Sequence, residues 1–258
     1  MIFSAIDQKI RQAFSNAAVQ YDVLASLQKE IGRELVKKIE DLEEAHYILD
    51  VGMGTGWMTN RLSNLFPDTK VVGVDYAFGM LQEACKKYDL RQILQADARI
   101  LPFKTEIFDV IISNLTYQWV MDLEKAFQES YRVLKGNGIF CLTMFGYETL
   151  QELFISFDQV KGEKLVIQRL ANRENIENAL EKSNFRHIEL ATEMIKVHFP
   201  DMLTLVKWLK DIGANILPKN GFIGKEFMME ANEFYQKNFS DRLGIIASFE
   251  VIWVQAKR

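Results

Sequence analysis

The sequence predicts an α/β fold: a mostly parallel sheet with helices on both faces. Three observations point to it. Apolar runs alternate with helix-period segments through the first half of the chain. The first run, Tyr47-Ile48-Leu49-Asp50-Val51, stops at a glycine turn, Gly52-Met53-Gly54-Thr55-Gly56, which opens into a helical segment. Later runs each end in a polar residue: Asp75, Asp97 and Asn114. Parallel strands joined by helices bring their carboxyl ends to one crevice, where such folds bind ligands.

The elements follow in order. Ile6, Ile10, Phe14 and Ala17, then Leu24, Leu27, Ile31, Leu35 and Ile39, recur at helical spacing, with a bend expected across Ser15–Asp22. Strands are predicted near 47–51, 70–74, 92–96, 108–113 and 138–145. Helices are predicted near 56–66, 78–88 and 122–134. Gly136-Asn137-Gly138 reads as a turn before the fifth strand. Beyond Phe145, residues 148–160 and 173–183 read as helices and Ile188–Phe199 as a strand. Helices near 201–212 and 224–238 precede a long last strand, Ile245–Gln255. The two late strands need not run parallel to the rest, and a helix pair between them would cap the crevice. The chain reads as a single domain, 1–258: an N-terminal helical lid (1–44), a ligand-binding core (45–147), and late strands with an inserted helical cap (148–258).

Composition sets limits. The chain has 258 residues, 48% of them hydrophobic, enough for one large core. No apolar run approaches the roughly 20 residues that span a bilayer, and the first residues lack a secretory pattern. A cytoplasmic protein is the expectation. A net charge of −4 argues against broad nucleic-acid binding. His46, His187 and His198 form no metal-ligand spacing. Cys85 and Cys141 belong to no C-x-x-C pair and read as small buried hydrophobes.

The glycine spacing is G-x-G-x-G, not the G-x-G-x-x-G of dinucleotide folds. With Asp50 two residues before the first glycine, it favours S-adenosylmethionine over a nicotinamide. Asp75 lies about twenty residues past the glycines, where these folds place the carboxylate that binds ribose hydroxyls.

These residues resemble the class I S-adenosylmethionine-dependent methyltransferases, whose fold is a Rossmann-like seven-stranded sheet. Leu49–Gly56 resembles that family's first motif and Gly73-Val74-Asp75 its second. Ala96-Asp97-Ala98 with Leu101-Pro102-Phe103, Phe108–Asn114 and Tyr131–Gly138 resemble the next three. The usual proline after the lysine of the fifth motif is missing. A narrower resemblance is to the malonyl-acyl-carrier-protein O-methyltransferases of biotin synthesis. It rests on Ala13–Tyr21, Ser113–Trp119, Leu142–Gly146 with Thr149–Leu153, Leu209–Asn215 and Phe249–Trp253.

The resemblance implies a cofactor site formed by Asp50, Gly52, Gly54, Gly56, Asp75, Tyr76, Met80, Asp97, Ala98 and Asn114. The product would be S-adenosyl-L-homocysteine. Asp50 would orient the turn rather than touch the ligand. Asp75 would accept from the ribose hydroxyls and Asp97 from the adenine amino group. Asn114 would hold the methionyl amino group through its carbonyl. Tyr76 and Met80 would pack on the adenine. Substrate would meet Tyr21, Trp119, Arg169 and Lys207. A carboxylate acceptor is ionised at neutral pH, so it needs no general base, and none is assigned. A malonyl-bearing acyl carrier protein would be the partner, docking on cations among Lys161, Lys164, Arg173, Lys210, Lys219 and Lys225. The alternatives are a methyltransferase of a free small acid of the trans-aconitate kind, and a non-catalytic cofactor-binding protein. DNA adenine methylation is disfavoured, because Asn114-Leu115-Thr116-Tyr117 lacks a double proline.

Overall fold

The chain begins with α1 (Ala5–Leu24), set by a capping box. Ser4 Oγ accepts from the Asp7 amide at 3.1 Å, and Asp7 accepts from the Ser4 amide at 2.9 Å. The computed structural model describes residues 4–40, 42, 45–162, 170–214 and 224–258. The bend expected across Ser15–Asp22 is absent. That stretch has neither glycine nor proline, and helix continues through it. The break falls at Ala25, where α2 (Ser26–Lys37) starts.

The core follows the predicted alternation: β1 (Tyr47–Val51), α3 (Trp57–Leu65), β2 (Lys70–Asp75), α4 (Phe78–Lys87), β3 (Ile93–Gln95), β4 (Phe108–Asn114), α5 (Leu123–Val133) and β5 (Leu134–Phe145). The late part holds α6 (Gln151–Lys161), α7 (Arg173–Lys182), β6 (Arg186–Phe199), α8 (Met202–Asp211), α9 (Lys225–Asn238), β7 (Ser240–Asp241) and β8 (Gly244–Lys257). The strand order is β3-β2-β1-β4-β5-β8-β6, with the two-residue β7 hairpinned onto β8. Strands β1 to β5 pair in parallel, while β8 runs antiparallel to both β5 and β6. Seven strands were expected; β7 adds a short eighth among the described residues.

The turn expected at Gly136–Gly138 lies inside β5. Phe108 pairs with Leu134 and Val110 with Ile139, so the intervening residues bulge out of the ladder. Asn137 takes φ 64°, a value that asparagine tolerates there.

The central strands are apolar because helices cover both faces. Ile48, Val110, Ile112 and Cys141 face one layer, where α2 contributes Ile31 and Leu35. Leu49, Ile111, Phe140 and Leu142 face the other with Phe127 of α5. Ile111 and Ile112 are fully buried, so truncating either to alanine should cost about 2–5 kcal/mol. Cys141 is buried as expected, but Cys85 is exposed. α4 turns Met80, Leu81 and Ala84 inward and leaves Cys85 on its outer face. No described helix is long and apolar enough to cross a membrane.

Candidate active site

The carboxyl ends of β1, β2 and β4 open into a cavity of about 1030 Å³, roofed by α1 and by α8. Of the helix pair expected to cap the crevice, only α8 contributes to the lining, through Trp208 and Leu209; α9 packs behind it and supplies no described lining residue.

The glycine turn shapes the floor. Gly52, Gly54 and Gly56 all have positive φ. A Cβ on Gly52 would come within 2.1 Å of Thr116 Oγ1, so only glycine fits. A Cβ on Gly54 would meet nothing within 4 Å: the space above it belongs to the cavity. Gly56 does not line the cavity. It starts α3 and lets Leu90 and Ala84 pack closely, with a Cβ position 2.7 Å and 3.0 Å from their side chains. Four of the five turn amides donate within the protein. Those of Gly52 and Met53 donate to the Val74 carbonyl, Gly56 to the Met53 carbonyl, and Gly54 to Asp75 Oδ2 at 2.8 Å. The turn therefore offers space above Gly54, with four of its five amides already donating within the protein.

Asp75 lines the cavity at the end of β2. Its Oδ1 accepts from the Ala77 amide at 2.7 Å. Burial pushes its carboxyl up to about 6, against the pull of the Ala77 and Gly54 amides. Asp50 lies beneath the turn, fully buried and off the cavity lining. Its Oδ2 accepts from Thr59 Oγ1 at 2.6 Å, while Oδ1 has no partner. Burial, with the Asp75 charge adding to it, lifts the Asp50 carboxyl to about 7.

Asp97 reaches the cavity already engaged. Arg99 grips both its oxygens, Nε to Oδ1 at 2.9 Å and Nη2 to Oδ2 at 2.7 Å. Arg99 Nη1 also reaches Asp7 of α1 at 3.3 Å. Sequence reasoning missed Arg99, Asp7 and Arg11, whose guanidinium lies 5.5 Å from the centre of the Tyr76 ring. The missed signal was the polar set Asp7 and Arg11 in register with Phe14, Ala18 and Tyr21 at helical spacing on α1. Tyr76, Met80 and Ala98 line the same end, with Met80 packed among Ala18 and Ala77.

Asn114 closes β4 and lines the cavity. Its Nδ2 donates to the Gln28 carbonyl at 2.9 Å, and its Oδ1 accepts from Thr143 Oγ1 at 2.8 Å. The side chain is thus a fixed strut.

Tyr21 lines the cavity. Burial, then the charges of Asp75 and Asp22, raise its hydroxyl well above the ordinary tyrosine range. Trp119 lines the cavity too, edge-on to Phe14 at 5.3 Å. Lys207 does not line it. Its side chain is 75% exposed and its Nζ pairs with Asp211 one turn along α8, so the sequence expectation for this residue is corrected. Arg169 lies outside the described residues, as do Lys164 and Lys219. Lys161, Arg173, Lys210 and Lys225 are exposed. The far end of the cavity is walled by Phe145, Phe154, Trp208 and Phe249.

A family model described as "Methyltransferase domain" matches residues 49–142. The fold is shared with YcgJ of Bacillus subtilis, at TM-score 0.62 and 17% identity over 88% of this chain and 97% of that one. It is shared too with phosphoethanolamine N-methyltransferase 2 of Haemonchus contortus, solved with S-adenosyl-L-methionine, at TM-score 0.56 and 21% identity over 88% and 52%. An open cradle above Gly54 and an acid at the end of β2 fit that cofactor. Together with a relative 32% identical over nearly the whole of both chains, these matches define an S-adenosylmethionine-dependent methyltransferase.

The curated relatives are more specific. The malonyl-[acyl-carrier protein] O-methyltransferase of Geobacter sulfurreducens is 32% identical, covering 97% of this chain and 98% of its own. The protein of the same name from Legionella pneumophila is 30% identical over 97% and 90%. This chain belongs to the malonyl-acyl-carrier-protein O-methyltransferase family.

Proposed function

We propose that the chain methylates the free carboxylate of a malonyl group held as a thioester on an acyl carrier protein. The product is the methyl ester that primes biotin synthesis. Such a soluble, carrier-borne substrate would place the work in the cytoplasm. The observation that carries the reading is similarity along nearly the whole length of both chains, lid and cap included. The three segments 1–44, 45–147 and 148–258 then act as one methyltransferase domain.

When bound, S-adenosylmethionine supplies an electrophilic methyl group on a sulfonium. Gly52 and Gly54 would give its methionyl part room. Asp75 would accept from the ribose hydroxyls. Asp97, held by Arg99, and Ala98 would take the adenine edge, with Tyr76 and Met80 against the ring. The Asn114 carbonyl would face the methionyl ammonium. Asp50 and Gly56 would act from behind, holding the turn and α3. Tyr21 would close the roof beside Asp75, and Trp119 would wall the acceptor. An ionised carboxylate has no proton to lose, so these residues need only align it and keep water out. Alignment alone can remove several kcal/mol from the barrier. Arg169 is the cation proposed to meet the substrate carboxylate.

Labelled S-adenosylmethionine incubated separately with malonyl-carrier protein, malonyl-CoA, succinyl-carrier protein and free trans-aconitate tests the reading. Label on the malonyl thioester, with malonyl at least about a hundredfold over succinyl, is expected, because an ångström of misplacement costs about that much. Faster turnover of trans-aconitate than of either thioester would replace the reading with the free-acid one.

A further inference from the structure

Gln28 lies beside the cavity apart from the residues proposed to hold the cofactor and the acceptor. It sits in the first turn of α2, is only 8% exposed, and borders the cavity. Its Oε1 is buried without a hydrogen-bond partner. A buried amide oxygen left unpaired is unfavourable and calls for an explanation in each case. Its place is fixed. The main-chain carbonyl of Gln28 holds Asn114, and Gly32 one turn later presses α2 onto the same side chain, with a Cβ position 3.1 Å from Asn114 Nδ2.

Most of the neighbouring donors are occupied. The amides of Gly52, Met53, Gly54 and Gly56 all donate within the protein. The guanidinium groups of Arg99 and Arg11 are engaged at the other end, on Asp97 and over Tyr76. An α-amino-acid head carries an ammonium and a carboxylate on one carbon. A carboxamide carries an acceptor and a donor on one carbon, so it can answer both charges at once.

We propose that Gln28 grips the zwitterionic methionyl head of the cofactor, Oε1 accepting from the ammonium and Nε2 donating to the carboxylate. The proposal rests on the cofactor and is independent of the acceptor, so it can fail while the malonyl reading stands, and the reverse.

Calorimetry separates it from a packing role. S-adenosylhomocysteine contains the head; 5′-methylthioadenosine carries the same nucleoside and sulfur without it. In Gln28→Met, which keeps the length and loses both hydrogen-bonding groups, affinity for S-adenosylhomocysteine should fall about ten- to a hundredfold. Affinity for methylthioadenosine should not change. The unliganded protein should melt at the same temperature or higher, since an unpaired buried amide has been removed. Gln28→Asn, whose amide is one carbon short, should give the same pattern and serves if the methionine variant does not fold. Unchanged affinity for S-adenosylhomocysteine would overturn the proposal. Equal losses for both ligands would assign Gln28 to packing. A raised KM for the acceptor with unchanged S-adenosylhomocysteine affinity would assign it to substrate.

Discussion

At one end of the cavity Asp75, Asp97 and Arg99 hold their charges in fixed hydrogen bonds; at the other, Phe145, Phe154, Trp208 and Phe249 present rings. The polar end is held by the protein's own hydrogen bonds. Asp75 is tied to two amides and Asp97 to one guanidinium, so their remaining lone pairs already point somewhere definite. Buried charges are tolerable only when paired in this way. The apolar end uses the opposite device. Charges attract more strongly where polarisable water is excluded, so an anionic acceptor among rings is drawn toward a cationic donor, while its lost hydration must be answered by a partner such as the cation proposed at Arg169. One end fixes a ligand of constant shape, and the other aligns whatever enters.

The largest effect should come from the polar end. Asp75→Ala removes the acceptor proposed for the ribose, a charged hydrogen-bond site worth about 1.5–3 kcal/mol. Calorimetry with S-adenosylhomocysteine should show that loss, while the acceptor KM at saturating cofactor stays put. A folded Asp75→Ala protein with unaltered affinity would mean the ribose lies elsewhere.

Next comes the apolar end. Trp119→Ala opens the wall against Phe14 and should lower kcat/KM for the acceptor by about 1–3 kcal/mol, the scale of lost apolar packing. Cofactor affinity should hold. If it drops as far as acceptor turnover does, the two ends are one unit and the contrast dissolves.

A pH titration sharpens the contrast without mutation. Burial sets the Asp75 carboxyl near 6, and the ionised form is the one that accepts from hydroxyls. Ligand binding therefore favours loss of the proton. S-adenosylhomocysteine affinity should be flat above about pH 6 and fall below it, by up to about tenfold per pH unit. Asp75→Asn should flatten the profile. An equally steep profile in that variant would move the titrating group to Asp50, set near 7 beneath the same turn.

The polar end was also the more legible in sequence. Its residues sit at or just past strand ends, which local pattern fixes, so the place of Asp75, Asp97 and Asn114 on the cavity wall was legible. The fifth strand was legible only in part, because a bulge keeps Gly136–Gly138 within the ladder and spacing alone cannot separate a bulge from a turn. The apolar end draws on residues far apart in the chain, such as Phe145, Phe154, Trp208 and Phe249, whose meeting depends on how β8 and α8 fold back. Lys207 shows the same limit. A cation on the right helix faces solvent or substrate according to rotation about the axis, and here it turns to Asp211. Gln28 and Arg99 carried no motif, because their roles come from contacts between the lid helices and the strand ends.

The smallest effect should be at the seam where α1 meets the polar end. Asp7 pairs with Arg99, and both side chains are nearly enclosed, at 6% and 11% exposed. Burial opposes the Asp7 charge, but the Ser4 hydrogen bonds and Arg99 outweigh it and hold the carboxyl below the usual range. A carboxyl depressed in the folded state contributes stability above its unfolded value of 3.8, and that contribution fades as pH falls through the folded value. Asp7→Asn should therefore cost about 1 kcal/mol at neutral pH and progressively less on acidification below 4. Arg99 keeps its bidentate grip on Asp97 in that variant, so equilibrium affinity for S-adenosylhomocysteine should survive if Asp97 takes the adenine as proposed. What should change is the roof, because α1 is tied there to the strand end through this ion pair. With Kd held, S-adenosylhomocysteine should both bind and leave faster, each by up to about fivefold if about 1 kcal/mol is lost from roof closure in free and bound protein alike. Stopped-flow release and a melting series from pH 7 to 3 read both quantities. If release is unchanged while the melting point falls as expected, Asp7 is only a helix cap. If both shift together, the lid and the adenine end are mechanically joined, and the rigid half of the cavity extends into its roof.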